Sequence, residues 1–184
     1  METTEPDDES GEELLGVGVV TIATNRSLST DAAGETIELI LEENGYEVPM
    51  REHVGADHDK VQSVVSRMVD RDDVELVLTS GATSIEPDDV TLEAVRPLLG
   101  KELSTFNDLF STLAYDAFGS HVIAARTLAG VSGDVPVFCL PGNRGAVRLA
   151  LEKLILPEAT HLVALANEER TVTDPGIEKE LEEE

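Results

Sequence analysis

Cysteine, lysine and large aromatics are nearly missing from this chain. Cys139 is its only cysteine, which excludes an internal disulfide and any cysteine-based zinc cluster. It lies in the apolar run VPVFCL, so a buried core thiol is expected rather than a nucleophile. Four lysines occur (Lys60, Lys101, Lys153, Lys179), and aromatics make up 3% of the residues. So little basic and aromatic surface repels nucleic acid and anionic membranes. No apolar run approaches the roughly 20 residues that span a bilayer. The opening METTEPDDESGEE is acidic and polar, unlike a signal or transit peptide, so a cytoplasmic location is expected.

What the chain has in excess is acid, with a net charge of -25 over 184 residues. Residues 1–13 and 168–184 carry 15 acids and two bases, and the rest still holds 23 acids against 11 bases. The acidity therefore covers the body as well as the ends. It suits the very salty cytoplasm of a halophilic archaeon, where a short Debye length screens self-repulsion. Residues 1–13 and 167–184 read as disordered acidic tails. Residues 14–166 read as one domain, and 41% hydrophobic residues overall suffice for a core.

Strand-like and helix-like segments alternate through that body. LLGVGVVTIA (14–23) reads as a central strand, and DAAGETIELILEENG (31–45) as a helix stopped at Asn44-Gly45. YEVPMREHV (46–54) reads as a strand near an edge, because Pro49 cannot donate to a ladder. DHDKVQSVVSRMVDR (57–71) is an amphipathic helix, VELVLTS (74–80) a strand, and TLEAVRPLL (91–99) a short helix ended by Pro97. Helices are expected at 106–118 and 121–130, a fourth strand at 135–140, and helices from Asn143 to about Leu156 and from Pro157 to Leu165. The alternation predicts an α/β fold with a doubly wound, mainly parallel sheet.

Such sheets take ligands at the carboxyl ends of their strands. Three of those ends carry small, polar or turn-forming residues: ATNRS (23–27), TSGATS (79–84) and LPGNRGA (140–146). If the strands are neighbours, the loops share one rim, where backbone N–H groups, hydroxyls and Arg144 would hold an anion. Acids flank them, with Asp88 and Asp89 after the second loop and Asp57 and Asp59 opening a helix. Carboxylates facing phosphate-holding loops are the means of placing Mg²⁺ on a nucleotide, although Asp is also an ordinary helix cap. The four histidines lack the spacing of metal ligands.

The stretch VLTSGATSIEPDDVTLEAVRPLL resembles the signature of the MoaB/MogA family of molybdenum cofactor biosynthesis proteins, a T-x-GGTG loop followed by D-V-T-P-E-A. ELSTFNDLFSTLAYDAFGSHVIAARTLAGV, FCLPGNRGAVRLALEKLILP and TIATNRSLSTDAAGETI continue the likeness, over about residues 14–166. The resemblance implies a three-layer α/β/α fold, assembly as a homotrimer or homohexamer, and work on molybdopterin with ATP and Mg²⁺. Active members adenylylate the molybdopterin phosphate and release pyrophosphate. By position, Thr79, Ser80, Gly81, Ala82, Thr83 and Ser84 resemble the pterin-phosphate loop, with Pro141, Gly142 and Asn143 facing it. Asp89 and Asp57 match the two functional aspartates that handle nucleotide and magnesium, Asp108 stands for a glutamate, and Ser120 keeps a hydroxyl.

The chain also departs from the signature. Ala82 and Ser84 replace glycines, Asp88 a position that is often basic, Asn107 a glycine and Ala125 a serine. A glycine replaced where φ > 0 is needed carries a penalty, and strain is expected at Ala82 or Ser84. Two readings follow: a molybdopterin adenylyltransferase, or a non-catalytic carrier of molybdopterin.

Overall fold

The computed structural model describes residues 14–24 and 30–167. The acidic tails, and residues 25–27 of the first strand-end loop, lie outside the described residues. Chain order is β1 (Gly16–Ile22), α1 (Ala32–Glu43), β2 (Glu47–Val54), α2 (His58–Val69), β3 (Leu76–Ser80), α3 (Thr91–Val95), β4 (Lys101–Glu102), α4 (Ser104–Phe118), β5 (Leu128–Ser132), β6 (Val135–Leu140), α5 (Arg144–Ala150) and α6 (Leu156–Ala166).

The strands form one six-stranded sheet in the order β2-β1-β3-β6-β5-β4. β2, β1, β3 and β6 run parallel, while β5 is antiparallel to both β6 and β4. β2 is the edge that Pro49 requires. The sheet is thus a mainly parallel one whose far edge is turned into mixed pairing by the β5–β6 hairpin.

Period-two alternation sends the side chains of each central strand to two separate cores. Val17 and Val19 of β1, Leu76 and Leu78 of β3, and Phe138 and Leu140 of β6 pack under α1, α4, α5 and α6. Val77, Val137 and Cys139 face the other way, against Val61, Val65 and Met68 of α2 and Leu92 and Val95 of α3. Helices therefore cover both faces, giving the three layers. Phe138 is fully buried and meets Phe106 of α4 edge-on, with ring centroids 5.0 Å apart. Truncating such a ring to alanine costs about 3–5 kcal/mol, since the cavity does not fully collapse.

Three expectations are corrected. Residues 121–130 are not a helix: a 3-10 turn covers Gly119–Ala124, and Leu128–Ser132 is β5. LAGVS pairs with VPVFC across a tight turn, from Leu128–Cys139 to Ser132–Val135, so sheet partners satisfy the backbone that a helix would have satisfied itself. The four expected strands become six, because β4 is two residues long and β5 was assigned to helix. The two helices expected after Asn143 form one continuous rod, α5 and α6 joined by a π-helical segment at Leu151–Ile155. Pro157 is the second residue of α6, directly after the π-helical segment. None of the described helices is long and apolar enough to cross a membrane.

Candidate functional site

β1, β3 and β6 are neighbours and parallel, so their carboxyl ends do share one rim. They meet at Gly81. Its N–H donates to the Leu140 carbonyl at 3.0 Å, and a Cβ added to it would lie 2.3 Å from the Ile22 carbonyl oxygen. Its φ of +103° also demands glycine. From the other side, a Cβ on Gly142 would come within 3.1 Å of the Gly81 Cα. Two glycines thus let three strand ends close on each other, and the Ser80 hydroxyl fastens the seam by donating to the Pro141 carbonyl at 3.3 Å.

An open cleft of about 540 Å³ lies over this junction, and its lining includes Thr21, Asp31, Ser80, Gly81, Ala82 and Gly142. Glu86, Asp88 and Asp89 form its acidic side. Among the described residues, no Lys or Arg lines it. The amides of Ala82, Thr83 and Gly142 have no partner among the described residues. Free N–H groups in a glycine-rich turn at a strand end form the concave nest that takes anions.

The wall of the cleft is the loop from Ala82 to Asp89. Ala82 has φ +51°, the one non-glycine with positive φ among the described residues. Strain therefore falls at Ala82 and not at Ser84, at a cost of about 1–2 kcal/mol for a Cβ in the left-handed region. Thr91, at the start of α3, holds the turn in place. Its hydroxyl donates to the Gly81 carbonyl at 2.9 Å and its N–H to the Ala82 carbonyl at 3.1 Å. Ser84 has a different role. Both its N–H (2.8 Å) and its hydroxyl (2.6 Å) donate to one oxygen of Asp89. Asp89 thereby closes its own loop and keeps its second oxygen free of protein partners among the described residues.

Asp31 was missed by sequence reasoning as a site residue. It caps α1, accepting from the Gly34 N–H at 2.9 Å, and is fully buried at the cleft floor. The Thr21 hydroxyl donates to the same carboxylate, and the Arg51 guanidinium pairs with it at 3.2 Å. The charge is thus matched where it is out of water, as a buried carboxylate requires. The one local signal was its place three residues before Gly34, directly after a strand-end loop. Arg126 also went unread. It reaches the far side of the loop, donating to the Thr83 carbonyl at 2.9 Å and to Glu93 at 2.6 Å. This pairing holds the Glu93 carboxyl below its ordinary pKa and lifts that of Arg126.

The structure brings Ser80, Gly81, Ala82, Asp89 and Gly142 to the cleft lining. Thr79 is buried in the sheet, Thr83 and Ser84 support the wall from behind, and Pro141 lies buried under the seam. Asn143 caps α5 by accepting from the Ala146 N–H at 2.8 Å. Asp57 is exposed and caps α2, accepting from the Lys60 N–H at 3.0 Å, while Ala56 beside it lines the cleft. Asp108 and Ser120 are exposed on α4 and the turn after it, and neither lines the cleft. Cys139 is completely buried, and burial pushes its thiol up to about 12, which rules it out as a nucleophile.

The acidic side presents hard oxygen donors of the kind Mg²⁺ prefers. Among the described residues no group of three or more such side chains is arranged to hold a metal alone.

Fold and cleft together define an α/β domain with an open cleft at the carboxyl ends of its central strands, the place where such sheets take ligands. Residues 10–161 match the family described as "Probable molybdopterin binding domain". Molybdenum cofactor biosynthesis protein B of Bacillus cereus is 41% identical over 145 residues, covering 78% of this chain and 86% of that protein. The same protein of Bacillus subtilis is 39% identical over 153 residues, covering 82% and 89%. A crystal structure of a molybdenum cofactor biosynthesis protein B superposes with a TM-score of 0.81 at 39% identity, covering 84% of this chain and 96% of that one. The tungsten cofactor synthesizing protein MoaB from Pyrococcus furiosus superposes at 0.74 with 28% identity, covering 84% and 98%. The chain belongs to the molybdopterin-binding family of molybdenum and tungsten cofactor biosynthesis proteins.

Proposed function

We propose that this cleft binds molybdopterin by its phosphate and joins that phosphate to AMP taken from ATP. The observation that carries this reading is the junction of the three strand ends at Gly81, with free amides on one side and carboxylates on the other. A phosphate needs the first, and a nucleotide carried with a divalent cation needs the second.

In this reading the amides of Ala82 and Gly142, both in the cleft lining, hold the pterin phosphate. Asp89, with its free oxygen, and Asp57, at the α2 terminus, face the nucleotide side. Mg²⁺, when bound, neutralises the triphosphate charge that Asp88 and Asp89 would otherwise repel. An oxygen of the pterin phosphate attacks the α-phosphorus of ATP, the bond to the β-phosphate oxygen breaks, and pyrophosphate leaves. The protein's share is positioning and a fixed electrostatic frame, with no covalent step on the chain. The chemistry takes place in the cytoplasm, in an assembly of three or six copies.

The test is incubation of the protein with molybdopterin, ATP and MgCl₂ in molar KCl, following adenylylated pterin and pyrophosphate together. Equal amounts of both are expected. Molybdopterin binding without either product would favour the second reading, a carrier. One observation favours that reading: an Asp89 oxygen accepts the Ser84 hydroxyl, a donor that the glycine of the signature lacks.

A further inference from the structure

Thr91 fixes the first residues of the cleft wall to α3. Beyond Ala82 the loop's own bonds run between residues 84 and 89: Ser84 to Asp89, the Glu86 N–H to the Ser84 hydroxyl at 3.2 Å, and the Asp89 N–H to the Glu86 carbonyl at 3.0 Å. These bonds are local to the loop, so their persistence depends on what holds its two ends against the rest of the molecule. Among the described residues, the hydrogen bonds that reach residues 83–89 from outside 81–93 come from Arg126.

Arg126 follows the 3-10 turn and precedes β5, 37 residues after Asp89. Its Nε donates to the Thr83 carbonyl at 2.9 Å and Nη2 to the Asp89 carbonyl at 3.4 Å. The other edge of the guanidinium grips Glu93 of α3, at 2.6 Å through Nη1 and 3.3 Å through Nη2. One planar group therefore ties both ends of the wall to a helix and to the sheet. We propose that Arg126 is the positioning residue that sets the cleft wall for an anionic ligand, by holding the Thr83 and Asp89 carbonyls outside the cleft. The proposal rests on reading the cleft as the phosphate site.

The physical need is plain. Beside an Asp31 whose charge Arg51 matches, the cleft already contains Glu86, Asp88 and Asp89, with no basic side chain in its described lining. A carbonyl dipole swung inward would add to that repulsion and displace a phosphate from the nest. Arg126 captures two such oxygens, and a lysine cannot imitate it. A point ammonium lacks the rigid fork that bonds two carbonyls and a carboxylate at once. Glu93 sets the fork's angle from the opposite side.

The test compares wild type with Arg126→Gln, Arg126→Lys, Glu93→Gln and the double variant Arg126→Gln/Glu93→Gln. Amide hydrogen exchange without ligand is the first readout. At least tenfold faster exchange is expected at Ser84 and Asp89 in Arg126→Gln, nearly as much in Arg126→Lys, and less in Glu93→Gln. Core amides of β3 and β6 should keep wild-type protection, which shows that the variant folds. The second readout is molybdopterin affinity, expected to fall at least tenfold in Arg126→Gln, with KM rising more than kcat falls. The double variant separates positioning from charge. If unpaired Glu93 were the whole cause, removing it would restore affinity, and that restoration would overturn the proposal. Unchanged exchange at Ser84 and Asp89 in Arg126→Gln would overturn it as well. If wild type itself bound no molybdopterin, the functional reading would fall, and the exchange result would still decide whether Arg126 sets the wall.

Discussion

A single oxygen of Asp89 accepts both the N–H and the hydroxyl of Ser84, at 2.8 and 2.6 Å. Ser84 therefore fits its place: its hydroxyl adds a second donor to the carboxylate oxygen that its backbone N–H already holds.

Replacing Ser84 by Ala or Gly removes the hydroxyl donor to Asp89 and the acceptor for Glu86. Stability should fall by about 1 kcal/mol, the usual worth of a hydrogen bond at a partly exposed carboxylate. Denaturant unfolding in molar salt measures this. An unchanged or raised midpoint would show that the Ser84 hydroxyl contributes nothing.

Ala82→Gly should act in the opposite direction. Relief of the left-handed Cβ gains about 1–2 kcal/mol, and the added freedom of glycine in the unfolded chain takes back about 0.4–1. A net gain of roughly 0.5–1 kcal/mol is expected by the same measurement. A loss would mean that the φ of +51° carries no strain.

The outline of this molecule was readable because its central strands are continuous β-branched runs bounded by turn residues, and periodicity reports that directly. The rim was readable for the same reason, since a strand's end is where its pattern stops. Other features were decided by long-range contacts. Leu128 to Gly130 read as the end of a helix in isolation and belong to a strand because VPVFC lies beside them. Asp31 and Arg126 matter through partners far along the chain, Arg51 and Thr83, and no local pattern marks such pairs. The strain at Ala82 was foreseen in kind, but its choice over Ser84 depended on backbone dihedrals alone.

Acid should loosen the wall through Glu93. Its carboxyl titrates below the ordinary 4.5 because Arg126 bonds its charged form. A depressed carboxylate contributes stability in full above its unfolded value and loses it as pH falls through the lower folded value. The difference in stability between wild type and Glu93→Gln should therefore be constant from neutrality to about pH 5. It should then shrink on further acidification. A difference independent of pH would show that the ion pair does not stabilise the fold.

Cys139 should resist thiol reagents at pH 8 in the native state and react fully once the chain is unfolded, because its thiol is buried and held near 12. Stoichiometric labelling of the native protein at moderate pH would contradict the burial of β6.

The net charge of -25 should make the fold depend on salt. Lowering KCl from molar to tens of millimolar lengthens the Debye length from about 3 Å toward 30 Å and exposes the chain's self-repulsion. Circular dichroism should show loss of structure or a large fall in Tm. Equal stability in dilute buffer would argue against adaptation to high salt.

The most direct measurement is the molybdopterin affinity of wild type beside Gly142→Val, by equilibrium titration in molar KCl. At Gly142 even a Cβ comes within 3.1 Å of Gly81, so a branched side chain closes the junction where the three strand ends meet. Saturable binding by wild type and at least a tenfold loss in the variant, with its fold intact, is the expected result. Equal affinity in the two proteins would place the pterin phosphate elsewhere and contradict the site.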